Sequence, residues 1–183
     1  MSLSTPHGGK LIQRILRGKD REMAEEKAKR LKKIHLTSRE ISDLEMIATG
    51  AMSPLEGFMG RSDYHSVIDT MRLSSGGIPW SIPITLSVTK EELQGLSEGT
   101  EVALVDEQEV TLALMQIEDI HHHDKKKEAS LVYRTESMDH PGVQALHQMG
   151  EYLVGGKISL FQRPHHKDFL QYRLDPEETR KIF

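Results

Sequence analysis

Two four-residue motifs mark helix starts, one before the β-rich middle section of the chain and one within it. Residues 37–40 (TSRE) and 89–92 (TKEE) both have the pattern of a capping box. In a capping box, the threonine hydroxyl accepts a hydrogen bond from the amide three residues later, and the glutamate reaches back to the threonine amide. The first motif predicts a helix that ends near Gly50, and the second predicts a short helix. The chain is therefore expected to contain helices as well as strands.

Strand and helix patterns alternate along the rest of the sequence. Strands are expected where β-branched and apolar residues cluster, namely at 80–88, 102–105, 110–120, 152–154 and 157–161. Turns are expected at 106–108 and at 155–156, and Pro79 and Pro83 suggest an edge strand or a bulge. Further helices are expected at 20–33, from a cap at Ser62 to residue 71, at 124–132 and at 140–149. These elements predict an α+β fold.

Length and composition limit the possible classes of protein. The 183 residues suffice for one domain, and 37% hydrophobic with 28% charged residues is typical of a soluble globular protein. No apolar run approaches the roughly 20 residues of a membrane helix. The absence of cysteine excludes disulfides, thiolate metal sites and a cysteine nucleophile, and it fits a cytoplasmic location. With a net charge of −4 and 5% aromatic residues, nucleic-acid binding is not expected.

Two short segments are candidates for binding an anion. Residues 7–11 (HGGKL) contain Gly-Gly-Lys, but they lack the upstream glycine and the following hydroxyl of a phosphate loop, so we expect a turn that leads into a strand at 11–12. In residues 161–166 (FQRPHH), Arg163, His165 and His166 surround a proline turn and could hold phosphate or sulfate. A surface turn is the favoured interpretation of that segment.

His121, His122 and His123 form the densest cluster of possible metal ligands. On a strand, His121 and His123 would share one face and His122 would lie on the other. Two histidines without a third ligand make a weak zinc site, and a neighbouring lysine run repels cations. We therefore expect three exposed histidines and no metal. The sequence also has neither a recognisable acid–base pair nor a G-x-S-x-G nucleophile motif, so it predicts no catalytic residue.

The last residues have a clear helix start. Residues 175–178 (DPEE) combine a capping aspartate, a proline at the first helical position and two acids in the first turn. The sequence given ends about two turns later on Ile182 and Phe183, and so short a helix is marginal alone. We interpret it as the start of a helix that links two domains.

Several collinear segments together resemble the N-terminal part of ATP sulfurylase (sulfate adenylyltransferase). They cover essentially the whole chain: 6–11 (PHGGKL), 38–48 (SREISDLEMIA), 50–59 (GAMSPLEGFM), 79–86 (PWSIPITL), 124–129 (DKKKEA), 140–143 (HPGV), 152–156 (YLVGG) and 176–183 (PEETRKIF). No single segment is decisive, but the ordered set is specific.

The resemblance implies a fold and a division of the chain. Residues 1–174 would be a PUA-like domain, a small mixed β-barrel decorated with helices, and residues 175–183 would begin the link to a catalytic domain. The family joins sulfate to the α-phosphate of ATP, giving adenosine 5′-phosphosulfate and pyrophosphate. Its Q-T-R-N-P signature followed by paired histidines is absent here, so no catalytic, substrate-binding or cofactor-binding residue is carried over.

The resemblance also implies partners. ATP and Mg²⁺ are expected only for the full-length enzyme, the expected partner is its catalytic domain, and the full-length protein could form homo-oligomers. We expect a structural and assembly domain that is inactive alone. The alternatives are a stand-alone PUA-like RNA-binding module, and a small enzyme that uses Arg163, His165 and His166.

A domain that abuts a catalytic partner should expose apolar side chains. The candidate interdomain surface consists of Leu55, Phe58 and Met59, which lie among turn-forming residues, and of Ile182 and Phe183 at the end of the last helix. Packing of Leu55 and Phe58 into the domain's own core is an equally weighted alternative.

Overall fold

The computed structural model describes residues 4–183, which form helices on a mixed sheet. The helices are α1 Gly18–Ala28, α2 Ser38–Thr49, α3 Arg61–Thr70, α4 Lys90–Leu93, α5 Lys125–Glu128, α6 Pro141–Gln148 and α7 Pro176–Ile182. The strands are β1 Lys33–His35, β2 Gly57–Phe58, β3 Leu86–Val88, β4 Glu101–Val105, β5 Thr111–His122 and β6 Tyr152–Leu160. A π-helix, Ala129–Tyr133, continues α5. Within these residues, no helix has the length and apolarity needed to cross a bilayer.

The sheet runs in the order β1-β4-β5-β6-β2, and β3 also pairs with β6. β1 lies parallel to β4, whereas the β4–β5 and β3–β6 pairs are antiparallel. The expected α+β class is confirmed. The sheet formed by residues 4–183 stays open, so the strands do not close into a barrel.

Local hydrogen bonds place several helices where the sequence predicts them. Both capping boxes form: the Thr37 amide donates to Glu40 at 2.9 Å, and the Thr89 amide donates to Glu92 at 2.8 Å. Gly50 ends α2 in the left-handed conformation, with φ of 94°, which glycine adopts without a steric penalty. The predicted helix start at 175–178 is also present, as the capped beginning of α7.

The chain divides into two compact units. The first contains the residues up to Gly57, Glu101–Gln116 and Lys157–Phe183. Its core includes a cluster of small and large apolar side chains from α1 and the sheet: Ala24, Ala28, Ala103, Leu114 and Phe161. The second contains Phe58–Thr100 and Ile117–Gly156. Its buried clusters are Tyr64, Ile68 and Leu153, and Ala129, Val143 and Leu146.

Some predicted boundaries are wrong, for identifiable reasons. The strand expected at 80–88 is shorter than predicted, because only Leu86–Val88 pairs with a neighbouring strand. Pro83 lies in the part that does not pair, and it has no amide hydrogen to donate to a sheet. α3 is capped by Gly60 rather than Ser62. The first helix, expected at 20–33, ends at Ala28, so residues 29–33 lie beyond it and Lys33 begins β1.

The expected strand pair across residues 155–156 is instead one continuous strand, β6. Gly155 serves a close approach rather than a turn. A Cβ atom placed on Gly155 would lie 2.3 Å from the Cα of Gly60, the residue that caps α3. Within the second unit, the absence of a side chain at Gly155 therefore allows the backbone before α3 to lie against β6.

Replacing Gly155 by alanine should destabilise the protein. The added methyl group meets backbone atoms that cannot rotate away, so we expect a loss of about 1–3 kcal/mol or more in the free energy of unfolding. Lys157→Ala, on an exposed position of the same strand, should change it by about 0.5 kcal/mol or less. Urea unfolding of both variants measures this. Equal stability of Gly155→Ala and wild type would contradict the close approach.

Candidate functional site

A cleft of about 690 Å³ opens on the first unit. Its walls come from α2, from the loop that follows α2, and from the segment that leads into α7. The lining residues used below are Leu11, Glu45, Met46, Arg163, His166, Leu170, Arg173, Leu174, Asp175 and Arg180. The cleft thus combines several guanidinium groups with two carboxylates and an apolar wall.

Arg163 is held by a carboxylate inside the cleft. Its Nη1 donates to Asp175 Oδ1 at 3.0 Å, and its Nη2 donates to the other carboxylate oxygen, so the pair is bidentate. Hydrogen bonding to Asp175 raises the pKa of Arg163 above its ordinary value. Because Asp175 already occupies one edge of this guanidinium, Arg163 is a poor candidate for holding a further anion.

His166 is also paired. Its Nε2 lies 2.7 Å from Oε2 of Glu45 on α2. His165 is exposed and is not part of the cleft lining. Of the three residues that the sequence singled out in 161–166, the structure brings Arg163 and His166 into one cleft. Both have acidic partners that the sequence did not indicate.

Two further arginines of the cleft have no carboxylate partner among the described residues. Arg173 donates through Nε to the backbone oxygen of Asp168 at 3.2 Å. Arg180, on α7, is half-buried and makes neither a hydrogen bond nor an ion pair with any residue of 4–183. Sequence reasoning missed this pair because no known motif spans the two positions. Chemically, the two guanidiniums can bind an anion.

In the second unit, a buried polar network joins α3, the residue that follows β5, and α5. The Glu128 carboxylate accepts a hydrogen bond from the Tyr64 hydroxyl at 2.9 Å, and the same oxygen lies 2.8 Å from Nε2 of His123. All three side chains are buried. Burial, together with the charge and the hydrogen bond of Glu128, raises the pKa of Tyr64 above its ordinary value. The network therefore keeps the tyrosine protonated and stabilises the packing of these elements.

His121 and His123 are buried, so the expectation that all three histidines are exposed is wrong for these two. The alternation along the strand is confirmed, since His122 is exposed. His121 Nδ1 lies 2.5 Å from Asp119 Oδ1, while its buried Nε2 has no partner among the described residues. In residues 4–183, no group of three or more His, Cys, Asp or Glu side chains is placed to hold a metal ion. The absence of a bound metal stays a prediction.

The candidate interdomain surface needs correction at three positions. Leu55, Phe58 and Met59 are only 6%, 2% and 2% exposed, so they do not form an exposed surface. The loop is anchored: Ser53 Oγ accepts from the Ile12 amide at 2.9 Å and donates to a backbone oxygen of the same loop.

The other two residues of that candidate surface are exposed. Ile182 and Phe183 are 68% and 95% exposed. Their role in contacting another domain stays a prediction.

The segment at 7–11 is a turn, as expected, closed by a 2.8 Å hydrogen bond from the Gly9 amide to the Pro6 oxygen. The strand expected after this turn, at residues 11–12, does not form within the described chain. His7 and Leu11 contribute to the lining of the cleft instead.

The fold now described has known counterparts. Residues 4–163 match the family model described as a PUA-like domain. The chain belongs to the PUA-like domain family.

Curated relatives of this chain are named sulfate adenylyltransferases, which confirms the resemblance seen in the sequence. The enzyme of Symbiobacterium thermophilum is 46% identical over 178 residues, which is 97% of this chain and 45% of that protein. The enzyme of Halothermothrix orenii is 45% identical over 96% of this chain and 46% of its own length. The chain therefore spans about half the length of the curated relatives it matches.

A solved structure shows the same fold in a larger protein. The hexameric APS kinase from Thiobacillus denitrificans superposes on this chain with a TM-score of 0.76 at 28% identity. The match covers 100% of this chain and 31% of that protein.

Burial of His121 should make stability depend on pH. Burial lowers its pKa from the ordinary value, an effect that Asp119 partly offsets. Well above the ordinary histidine pKa of about 6.5, the ring is neutral in both the folded and the unfolded chain, so its burial adds no pH dependence there. Below that pH the unfolded chain binds a proton that the folded chain resists, so the free energy of unfolding falls.

Replacing His121 by asparagine should therefore flatten the loss of stability between about pH 7 and about pH 5, because the titrating ring is removed while a donor near Asp119 is retained. His122→Asn, at the exposed neighbouring position, should leave the profile as in wild type. Thermal melts across this range measure the slopes. A profile of His121→Asn that matches wild type would contradict this assignment.

Proposed function

We propose that this chain is the N-terminal PUA-like domain of a sulfate adenylyltransferase, in which it serves structure and assembly rather than catalysis. The supporting observation is the uneven coverage in the comparison with relatives. Sulfate adenylyltransferases 43–46% identical to the chain match 97% of it, and the match takes up only about 45% of their length. The remainder of such an enzyme would bind ATP and Mg²⁺ and join sulfate to the α-phosphate.

The cleft chemistry supports a non-catalytic role. Attack of a sulfate oxygen on an anionic phosphate requires positive and hydrogen-bonding groups arranged around the reacting atoms. Arg163 and His166 resemble such groups in sequence, yet each is paired with a carboxylate in the fold. The family's Q-T-R-N-P signature is also absent from the sequence.

The segment before and within α7 supports docking against a second domain. It exposes large apolar side chains, from 42% to 95% of their surface: Phe169, Leu170, Tyr172, Leu174, Ile182 and Phe183. Exposed apolar clusters commonly mark interaction surfaces. Burying one such side chain contributes on the order of 1.5–3 kcal/mol, so a partner that covers this segment would be bound through the hydrophobic effect.

The full-length protein is proposed to assemble into homo-oligomers in the cytoplasm. The support is the structural neighbour, which its description names as hexameric. The lack of cysteine is consistent with a reducing compartment.

The chain alone should make no adenosine 5′-phosphosulfate. With ATP, Mg²⁺ and sulfate, a coupled assay should detect no sulfate-dependent release of pyrophosphate above the blank. A chimera should restore it. In the chimera, this chain replaces the matching 45% of the Symbiobacterium thermophilum enzyme, so the missing groups are supplied by the rest of that protein.

The remainder of that enzyme without this chain is the control for the chimera. Turnover by the verified 183-residue chain would contradict the non-catalytic role. A folded chimera that lacks activity, beside an active parent enzyme, would count against equivalence of the two domains.

The exposed end of α7 should drive weak self-association of the isolated chain. Phe183 is 95% exposed, so Phe183→Ser should reduce association without lowering the melting temperature. Met23→Ser, at a residue 71% exposed on α1, is a matched control and should leave association unchanged. Sedimentation velocity and thermal melts measure both. A loss of more than about 2 kcal/mol in Phe183→Ser would identify Phe183 as a core residue instead.

A further inference from the structure

We propose that the cleft of the first unit binds a tetrahedral oxyanion, sulfate or phosphate, free or carried by a small metabolite, through Arg173 and Arg180. The inference goes beyond the proposed function and is tested on the isolated chain, although the cleft shares Leu170 and Leu174 with the segment proposed to dock against a second domain. It differs from the candidate anion site of the sequence analysis, which consisted of Arg163, His165 and His166 and for which a surface turn was the favoured interpretation.

The shape of the cleft suits a small ligand. Its volume of about 690 Å³ lies within the range of about 300–1,000 Å³ that is usual for ligand sites. Apolar side chains form part of its lining, among them Leu11, Met46, Leu170 and Leu174. This apolar wall is partly open to solvent, since Met46, Leu170 and Leu174 are 39%, 60% and 42% exposed. It also offers a surface for the organic part of a metabolite.

The charges in the cleft are unevenly matched. The lining contains the carboxylates of Glu45 and Asp175, and each is already paired, with His166 and with Arg163. Arg173 and Arg180 remain without a carboxylate partner among the described residues. The cleft therefore has an excess of positive charge that no side chain of the described chain neutralises.

Arg180 is the stronger of the two anchors. It is half-buried as a residue, and its guanidinium has no hydrogen-bond or ion-pair partner in residues 4–183, so all of its nitrogens are available to an anion. Arg173 uses only its Nε for the Asp168 backbone, which leaves its two terminal nitrogens for a ligand. The planar guanidinium fork matches two oxygens of a sulfate or phosphate group.

A neighbouring groove of about 380 Å³ is a weaker candidate. It is lined by Arg17, Arg21 and Arg163, among others. Arg21 is paired with Glu25 at 2.7 Å, and Arg163 with Asp175, so only Arg17 of the three lacks an acidic partner at ion-pair distance in residues 4–183. The larger cleft therefore has the better supply of unneutralised guanidinium groups.

Titration of the ¹⁵N-labelled 183-residue chain tests the proposal. The probes are sodium sulfate, sodium phosphate and AMP, each compared with sodium chloride at equal ionic strength. We expect saturable shifts of amides at Arg173 and in α7, with a dissociation constant on the order of 1 mM. Tighter binding of AMP would show that the apolar wall contributes and that the ligand is a phosphorylated metabolite. Equal binding of AMP and phosphate would identify the free oxyanion.

Three variants, each of which removes one positive charge, test the location of the site. Arg173→Gln and Arg180→Gln should each weaken binding roughly tenfold, which corresponds to about 1.4 kcal/mol. Lys181→Gln, next to Arg180 on α7 but outside the cleft lining, should bind as wild type. Thermal melts confirm that each variant is folded.

Three results would overturn the proposal. One is the absence of saturable shifts beyond those of chloride. Another is unchanged binding in both arginine variants, and the third is an equal loss in Lys181→Gln, which would indicate a diffuse charge effect. Binding of a single-stranded RNA oligomer that the small anions do not displace would favour an RNA-binding surface instead.

Discussion

Backbone pairing along the two longest strands, β5 and β6, is the constraint from which the main features of the second unit follow. β5 is hydrogen-bonded between β4 and β6, and β6 between β5 and β2, so neither strand can shift by one residue without breaking the pairing on both sides. The alternation of side chains at the end of β5 then buries His121, exposes His122 and buries His123, the residue that follows the strand. In β6, the same regular pairing requires Gly155 to lie against the backbone of Gly60.

This constraint also explains which parts of the fold were predictable. The capping boxes before α2 and α4 involve contacts between residues three apart, so their sequence pattern identifies them directly. The continuity of β6 depends on neighbours that are distant in sequence, and two adjacent glycines imitate a turn when read alone. Likewise, Leu55, Phe58 and Met59 are buried although their segment has no helix or strand period, because long-range contacts anchor it.

The candidate site shows the same limit. The sequence indicated Arg163 and His166, and both do line one cleft. Their acidic partners were not predicted, because Asp175 and Glu45 lie 12 and 121 positions away along the chain. Because each side chain is already paired with a carboxylate, Arg163 and His166 are structural parts of the cleft wall rather than ligands for an anion. Arg173 and Arg180, which no motif indicated, remain as cationic groups of the cleft without an acidic partner among the described residues.

The two units differ in how completely the polar groups discussed above are hydrogen-bonded. The hydroxyl of Tyr64 and the ring of His123 converge on one carboxylate oxygen of Glu128 in a buried site, where a missing partner would be costly. Complete hydrogen bonding of its buried polar groups is what a well-packed core requires. In the cleft of the first unit, Arg180 is half-buried without any acceptor from residues 4–183. No hydrogen bond or ion pair within the described residues holds its guanidinium, which leaves that group available to an anion. An anionic ligand, or an acidic group of an abutting domain, would supply the missing interaction. The two alternatives differ in one respect: only the ligand can bind to the isolated chain.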